Sequence, residues 1–165
     1  MSDSPPSWID AYIGLGANIG PRRHSIDQAI RALQQLQGVR VQTRSSIYET
    51  PPRFVEDQPP FLNACLHLQT TLAAADLLQH MLHIETSMGR RRSIDKGPRR
   101  IDLDLLFYGP HHIDDEDLTV PHPDLHNRDF VLEPLAEIAG HLRHPLLDRT
   151  IDELWQAWQH DHRQR

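Results

Sequence analysis

The chain has 165 residues, 38% of them hydrophobic and 24% charged, with a formal net charge of −6. A chain of this size buries a core of its own as a single domain over 1–165, so neither disorder nor a disulfide scaffold is implied, and the lone Cys65 has no internal partner to pair with. No apolar run approaches the roughly 18 residues of a membrane span, and an acidic chain does not suit non-specific nucleic-acid binding. Residues 1 to 7 carry neither a basic start nor an apolar block, so no secretory signal is expected and the setting fits a reducing cytoplasm. Flexible tails are expected at 1–7 and 160–165.

The elements follow in order. Residues 8 to 16 form a first strand with Ile9, Ala11, Ile13 and Leu15 on one face. Gly14, Gly16 and Gly20 then allow a turn. The glycine run GLGANIG is only part of a dinucleotide fingerprint and lacks a parallel βαβ unit behind it. Residues 21 to 37 read as a helix through Ile26, Ala29, Ile30, Leu33 and Leu36, with Pro21 at its start and Gly38 past its end. Residues 39 to 48 alternate as a second strand. Residues 49 to 60 hold four prolines and form a stiff irregular loop. Residues 61 to 71 alternate again, with Leu62, Ala64, Leu66 and Leu68 on one face and Phe61, Asn63, Cys65 and His67 on the other. A helix over 73–88, an Arg-rich loop over 89–98 and a strand over 100–108 complete a βαββαβ order. That order predicts an α+β, ferredoxin-like fold: an antiparallel sheet with both helices on one face and the other face open. Helices near 129–139 and 150–159 are C-terminal additions.

The chemistry-bearing residues converge on the open face. On the last strand Ile101, Leu103 and Leu105 face the helices, so Asp102 and Asp104 share the opposite side. Adjacent carboxylates repel, and a divalent cation relieves that repulsion; a solvated face with alternating Asp is the other reading. Just upstream, six of the chain's 17 cationic residues crowd into Arg90, Arg91, Arg92, Lys96, Arg99 and Arg100. Guanidinium groups bind phosphate bidentately, although an Arg run can also be a solvated loop. Carboxylates for a metal beside arginines for phosphate are recurring parts of phosphoryl transfer, and no P-loop motif is present. Phe61 and Asn63 lie two apart on the same side as the Asp pair. An aromatic ring beside a primary amide suits a flat heterocycle, the ring stacking and the amide reading its edge.

With these residues in place, the sequence resembles the 6-hydroxymethyl-7,8-dihydropterin pyrophosphokinase family. The resemblance is carried by GLGAN (14–18), SSIYETPP (45–52), QPPFLNA (58–64), KGPRRIDLDLL (96–106), LTVPHP (118–123) and NRDFVLEPL (127–135). It covers about residues 8 to 145. It implies ATP and a reduced pterin bound across the open sheet face, with pyrophosphate passing from ATP to the pterin hydroxymethyl group and AMP leaving, in folate biosynthesis. It implies two Mg²⁺ held by Asp102 and Asp104, and catalytic roles for Arg90, Arg92 and Arg99 beside them. Arg90, Arg92, Arg99, His122 and Arg128 fall on its ATP-binding positions, and Glu85 on a position bordering the nucleotide. Thr50, Pro51, Phe61, Asn63 and Phe130 fall on its pterin-pocket positions, with Asp102 also reaching the hydroxymethyl end. The sequence departs from some relatives at Lys96 and Pro123, where they carry aromatics, and at Ala17, often Ser. Of the 12 histidines only His122 lies in a motif, and most others, such as His111 and His112, are expected at the surface.

Two other classes compete. A non-catalytic ligand-sensing module would explain the fold but not the Asp pair beside the Arg loop. A two-metal nuclease would explain the pair but not the acidic charge or the Phe61–Asn63 pocket. The expected partners are therefore small molecules acting on a monomer, with neither nucleic acid nor membrane.

Overall fold

The computed structural model describes residues 7–50, 59–89 and 100–163. Pro51, Arg90, Arg92, Lys96 and Arg99 lie outside the described residues, as do most of the loops expected over 49–60 and 89–98. The chain runs β1 (Ile9–Ala17), α1 (Arg22–Gln34), β2 (Val39–Arg44), β3 (Tyr48–Thr50), β4 (Phe61–Thr70), α2 (Ala74–Ser87), β5 (Asp102–Tyr108), β6 (Ile113–Asp114), β7 (Thr119–Val120), α3 (Asp129–Ala139) and α4 (Ile151–Asp161). A 3₁₀ turn over Leu125–Asn127 precedes α3. A tail was expected from residue 160, and α4 continues through Asp161.

The main sheet has the order β2-β4-β1-β5, with β3 continuing the outer edge of β4. β1 lies antiparallel between β4 and β5. This is the expected βαββαβ topology. The alternation of apolar residues decides the facing: Ile13, Leu15, Leu62, Ala64, Leu66, Leu68, Leu103 and Leu105 join Ile26, Leu33, Leu77 and Met81 of α1 and α2 in one core. Several of these side chains are wholly enclosed, so truncating Leu66 to Ala costs about 2–5 kcal/mol.

The second face is not simply open. Tyr12, Cys65, Leu106 and Phe107 pack there against Leu125, Val131, Leu132, Leu135, Ile151 and Leu154, so the 3₁₀ turn, α3 and α4 cover part of it. A bulge makes this possible. Tyr12 pairs with Phe107 and Ile13 with Leu105, which leaves Leu106 as an extra residue in β5. Leu106 and Phe107, though consecutive, therefore both enter the second core.

Two further departures have local causes. The single strand expected over 39–48 breaks into β2 and β3 because Ser45 interrupts the ladder: the Cys65 N–H donates to the Ser45 hydroxyl (2.8 Å), and that hydroxyl donates to the Ser46 carbonyl (2.8 Å). Gly14 and Gly16 do not form a turn. They are strand residues of β1, and only Gly20 bends the chain, with φ 68°.

His144, between α3 and α4, is 4% exposed and was not legible as a core residue. Its ring meets Phe107 edge-on at 5.6 Å. Its Nδ1 accepts from the backbone N–H of both Leu146 and Leu147 (3.2 Å each), so the proton sits on Nε2. Burial, with His126 adding to it, holds its pKa below the ordinary value. The unfolded chain therefore binds a proton at His144 before the folded chain does. This contribution costs nothing above an unfolded histidine's pKa of about 6.5 and destabilises the fold progressively as pH falls below it. The melting temperature should drop between pH 7.5 and 5.5, and less steeply in His144→Asn, whose side-chain oxygen can accept the same two N–H groups without titrating. Equal drops in the two proteins would remove His144 as the cause.

Candidate active site

Antiparallel partners share a face, so the strand register decides which side chains meet on the uncovered part of the sheet. Tyr48 pairs with Asn63, Asn63 with Gly16, and Gly16 with Asp102. One row thus runs across four strands, with a glycine between an amide and a carboxylate. Adjacent strands lie about 4.8 Å apart, so Asn63 and Asp102 face each other across a trough about 10 Å wide at the backbone. The next row along β1 is Cys65, Gly14 and Asp104. There Leu106 lies 3.6 Å from where a Gly14 Cβ would sit, and it closes the trough at that end. At Gly16 a Cβ would come 3.3 Å from Asn63 Oδ1 and 3.8 Å from the Phe61 ring, so the glycine keeps the floor clear.

Asn63 is buried and its amide is oriented. Nδ2 donates to Thr50 Oγ1 (2.7 Å), which leaves Oδ1 over Gly16 as an acceptor facing the trough. Thr50 in turn is held by pairing with Phe61. The entry to β4 is fixed from β1 and α1: Asn18 Nδ2 donates to the Pro59 carbonyl (3.2 Å) and Arg22 Nη1 to that of Pro60 (2.7 Å). The GLGAN segment therefore serves the site through a bare strand floor and a buried amide, neither of which is a turn.

Asp102 and Asp104 are half-buried on the same side of β5, as their spacing predicts. Glu85, expected at a position bordering the nucleotide, lies late in α2. It is 1% exposed, and its Oε2 accepts from the backbone N–H of Leu103 (2.8 Å), the residue between the two aspartates. A carboxylate so enclosed supports β5 between its two aspartates.

The segment after β7 supplies the other wall. The His122 N–H donates to the Leu106 carbonyl (3.1 Å), which docks it against β5. Burial, then the Arg128 charge, lower the His122 pKa against the opposing pull of Asp124 and Asp102. The ring is accordingly neutral near pH 7, with one N–H donor and one acceptor. Arg128 Nε lies 3.7 Å from Asp124, and its guanidinium stands 5.7 Å from the Phe130 ring centre. Asp124 also accepts from Asn127 Nδ2 (2.9 Å). The structure thus brings Thr50, Phe61, Asn63 and Asp102 onto one face and places His122, Arg128 and Phe130 on the adjoining segment, beside the 3₁₀ turn and the first turn of α3. Arg100, part of the Arg-rich cluster, has its guanidinium 3.4 Å from where a Gly20 Cβ would sit, beside the end of α2. Sequence reasoning missed the roles of Asn18, Gly16 and Arg22; for Gly16 and Asn18 the only available signal was their place in GLGAN.

The pair of carboxylates fits Mg²⁺, which takes hard oxygen ligands and commonly uses one or two carboxylates with waters and substrate phosphates. Among the described residues no three His, Cys, Asp or Glu side chains cluster as a self-contained cage. Two carboxylates would leave the rest of such an ion's shell to waters and substrate oxygens.

Comparison with known proteins points to one family. Residues 12–140 match the family described as 7,8-dihydro-6-hydroxymethylpterin-pyrophosphokinase. A 2-amino-4-hydroxy-6-hydroxymethyldihydropteridine pyrophosphokinase of Bacillus subtilis is 47% identical over 143 residues, covering 87% of this chain and 86% of that one. Its Haemophilus influenzae counterpart is 42% identical, covering 81% and 84%. The folic acid synthesis protein fol1 of Pneumocystis carinii is 44% identical over 85% of this chain, which spans only 19% of that longer protein. In three dimensions, a Plasmodium falciparum HPPK-DHPS crystal structure with pteroate superposes with a TM-score of 0.79 at 14% identity, covering 99% of this chain and 45% of the other. The fold is therefore shared even where the sequence has diverged. By its motifs, its fold and its matched length, the chain belongs to the 7,8-dihydro-6-hydroxymethylpterin-pyrophosphokinase family.

Proposed function

We propose that the protein transfers the terminal pyrophosphoryl group of ATP to the hydroxymethyl oxygen of 6-hydroxymethyl-7,8-dihydropterin, releasing AMP, as a Mg²⁺-dependent cytoplasmic enzyme of folate biosynthesis. The observation that carries this reading is the single row Asn63–Gly16–Asp102, an oriented acceptor and a carboxylate either side of a bare floor. A planar ring fits such a floor and its substituent ends at the acid.

The residues divide the work. Phe61 and Phe130 offer aromatic faces to the pterin, and Asn63 Oδ1, fixed by Thr50, accepts from its ring N–H groups. The family resemblance assigns Pro51 to the same pocket. Asp102 lies at the hydroxymethyl end, where it can accept the alcohol proton. Arg90, Arg92, Arg99 and Arg128 compensate phosphate charge, and neutral His122 donates one hydrogen bond there. Asp102 and Asp104 would hold Mg²⁺, which when bound neutralises phosphate charge and acidifies the attacking alcohol. Little covalent chemistry is then asked of the protein. Its task is to hold the alcohol in line with the β-phosphorus and to exclude water. Attack at that atom makes AMP the leaving group.

The product decides the reading. Protein incubated with ATP, Mg²⁺ and the dihydropterin should form AMP in a pterin-dependent manner; ADP, or no nucleotide product, would overturn it. Asp102→Asn and Asp104→Asn should each lower kcat at least 100-fold with the melting temperature preserved, because these side chains face the trough. Turnover near that of the unaltered protein at saturating Mg²⁺ would sink the metal assignment.

Phe61→Ala and Asn63→Ala should weaken the pterin by about 1–3 kcal/mol, the range for lost ring stacking or for leaving a polar partner unmatched, and should spare ATP. Gly16→Ala should act in the same direction, since its methyl group would meet Asn63 Oδ1 at 3.3 Å. Calorimetric titration with each ligand separately checks this division, and a selective loss of ATP affinity would reverse it.

A further inference from the structure

Glu137, in the last turn of α3, plays no part in the chemistry above, yet it gathers three donors from one short segment of chain. Its Oε1 accepts from the Tyr48 hydroxyl (2.6 Å) and the Ser46 N–H (3.0 Å). Its Oε2 accepts from the Ser46 hydroxyl (3.0 Å) and shares the Ser46 N–H (3.1 Å). Such charge-assisted contacts are stronger than neutral ones. Partial desolvation pushes the carboxyl up, but Tyr48 and Ser46 together outweigh that and leave it below its ordinary value. The same contact, with burial adding, pushes the Tyr48 hydroxyl up to about 12. The group is thus a carboxylate facing a protonated phenol throughout the physiological range.

The location gives this clamp its meaning. β3 is three residues long and lies at the edge of the sheet, paired on one side only, to β4. An edge strand so short is weakly held by its ladder alone. It nevertheless carries Thr50, which orients Asn63, and Tyr48, which stands in the Asn63–Gly16–Asp102 row. The other end of α3 carries Phe130, seven residues or about 10 Å along the helix from Glu137. α3 itself is fixed to the sheet by Val131, Leu132 and Leu135 in the second core. The carboxylate therefore ties a loosely held strand to a firmly held helix, and each bears one wall of the pocket.

We propose that Glu137 is a positioning residue for the pterin, its carboxylate fixing Ser46 and Tyr48 so that β3 keeps Thr50 and Asn63 at the correct spacing from Phe130. The proposal rests on the pterin-binding reading of the trough. It assigns no contact between Glu137 and either substrate, so Glu137 should affect one ligand and not the other.

The test measures the two affinities separately. 6-Hydroxymethylpterin is titrated by fluorescence and α,β-methylene ATP with Mg²⁺ by calorimetry, against the unaltered protein, Glu137→Ala, Tyr48→Phe and the double variant. Glu137→Ala should raise the pterin Kd about tenfold and leave the nucleotide Kd within a factor of about two. Tyr48→Phe should raise the pterin Kd by a smaller factor, and the double variant should bind no more weakly than Glu137→Ala, because both remove one network. In the steady state KM for the pterin should rise with kcat nearly unchanged. Pterin affinity equal in all four proteins overturns the proposal, as does equal weakening of both ligands, which would mark a general loss of structure. Should Glu137→Ala be unfolded at the assay temperature by circular dichroism, Tyr48→Phe decides alone: a raised pterin Kd upholds the clamp and an unchanged one ends it. If the unaltered protein binds no pterin, the functional reading fails first, and the clamp falls with it.

Discussion

The antiparallel pairing of β1 with β4 on one side and β5 on the other governs everything the site can do. It is a constraint of register rather than of strength. Asn63 and Asp102 are far apart in the chain, and no local propensity relates them. They meet because both strands are measured against the same residue, Gly16. A slip of one residue in either pairing would send Asn63 or both aspartates into the face covered by α1 and α2. The apolar residues between them prevent that slip, since Leu62, Ala64, Leu103 and Leu105 would be expelled to the other side at the same time. The core that stabilises the sheet is also what holds the ligand groups in line.

Charge is arranged on a shorter length scale. With a net charge of −6 the chain as a whole repels ATP, and screening confines useful attraction to about 8–10 Å at cellular ionic strength. Capture of a polyphosphate must therefore come from cations at the cleft itself. Arg128 and neutral His122 lie on one side of Asp102 and the Arg-rich segment precedes it in the chain. Burial and the Arg128 charge keep His122 neutral although Asp124 and Asp102 favour its protonated form.

Much of this was legible because it depends on periodicity of two. The alternation in 61–71 and in 101–105 gives the faces of β4 and β5 without knowledge of the fold, and with them the positions of Phe61, Asn63, Asp102 and Asp104. A helix was also expected near 129–139, where α3 lies. What escaped depends on contacts between distant segments. The break at Ser45 arises because a hydroxyl substitutes for a backbone acceptor, which alternation cannot register. The glycines of β1 read as a turn because glycine favours turns; that they leave a strand floor bare follows only from what lies across from them. Glu85 matched a position near the nucleotide by resemblance, but its enclosure against the Leu103 N–H is a property of α2 lying over the edge of β5. His144 looked like one surface histidine among many until Phe107 and two backbone N–H groups enclosed it.

The second face of the sheet is divided between a core and a cleft, and the dividing line is one residue wide. Leu106, the extra residue of the β5 bulge, lies over Gly14 and fills the space that the Gly16 row leaves open. Beyond it Tyr12, Cys65 and Phe107 receive α3 and α4; before it the floor is bare. The same helix that seals the core thus carries Phe130 to the cleft at one end and grips β3 through Glu137 at the other. Packing faults in this second core should therefore reach the cleft by tilting α3. The first core, which has no wall in common with the trough, offers no such route except through the register of the strands.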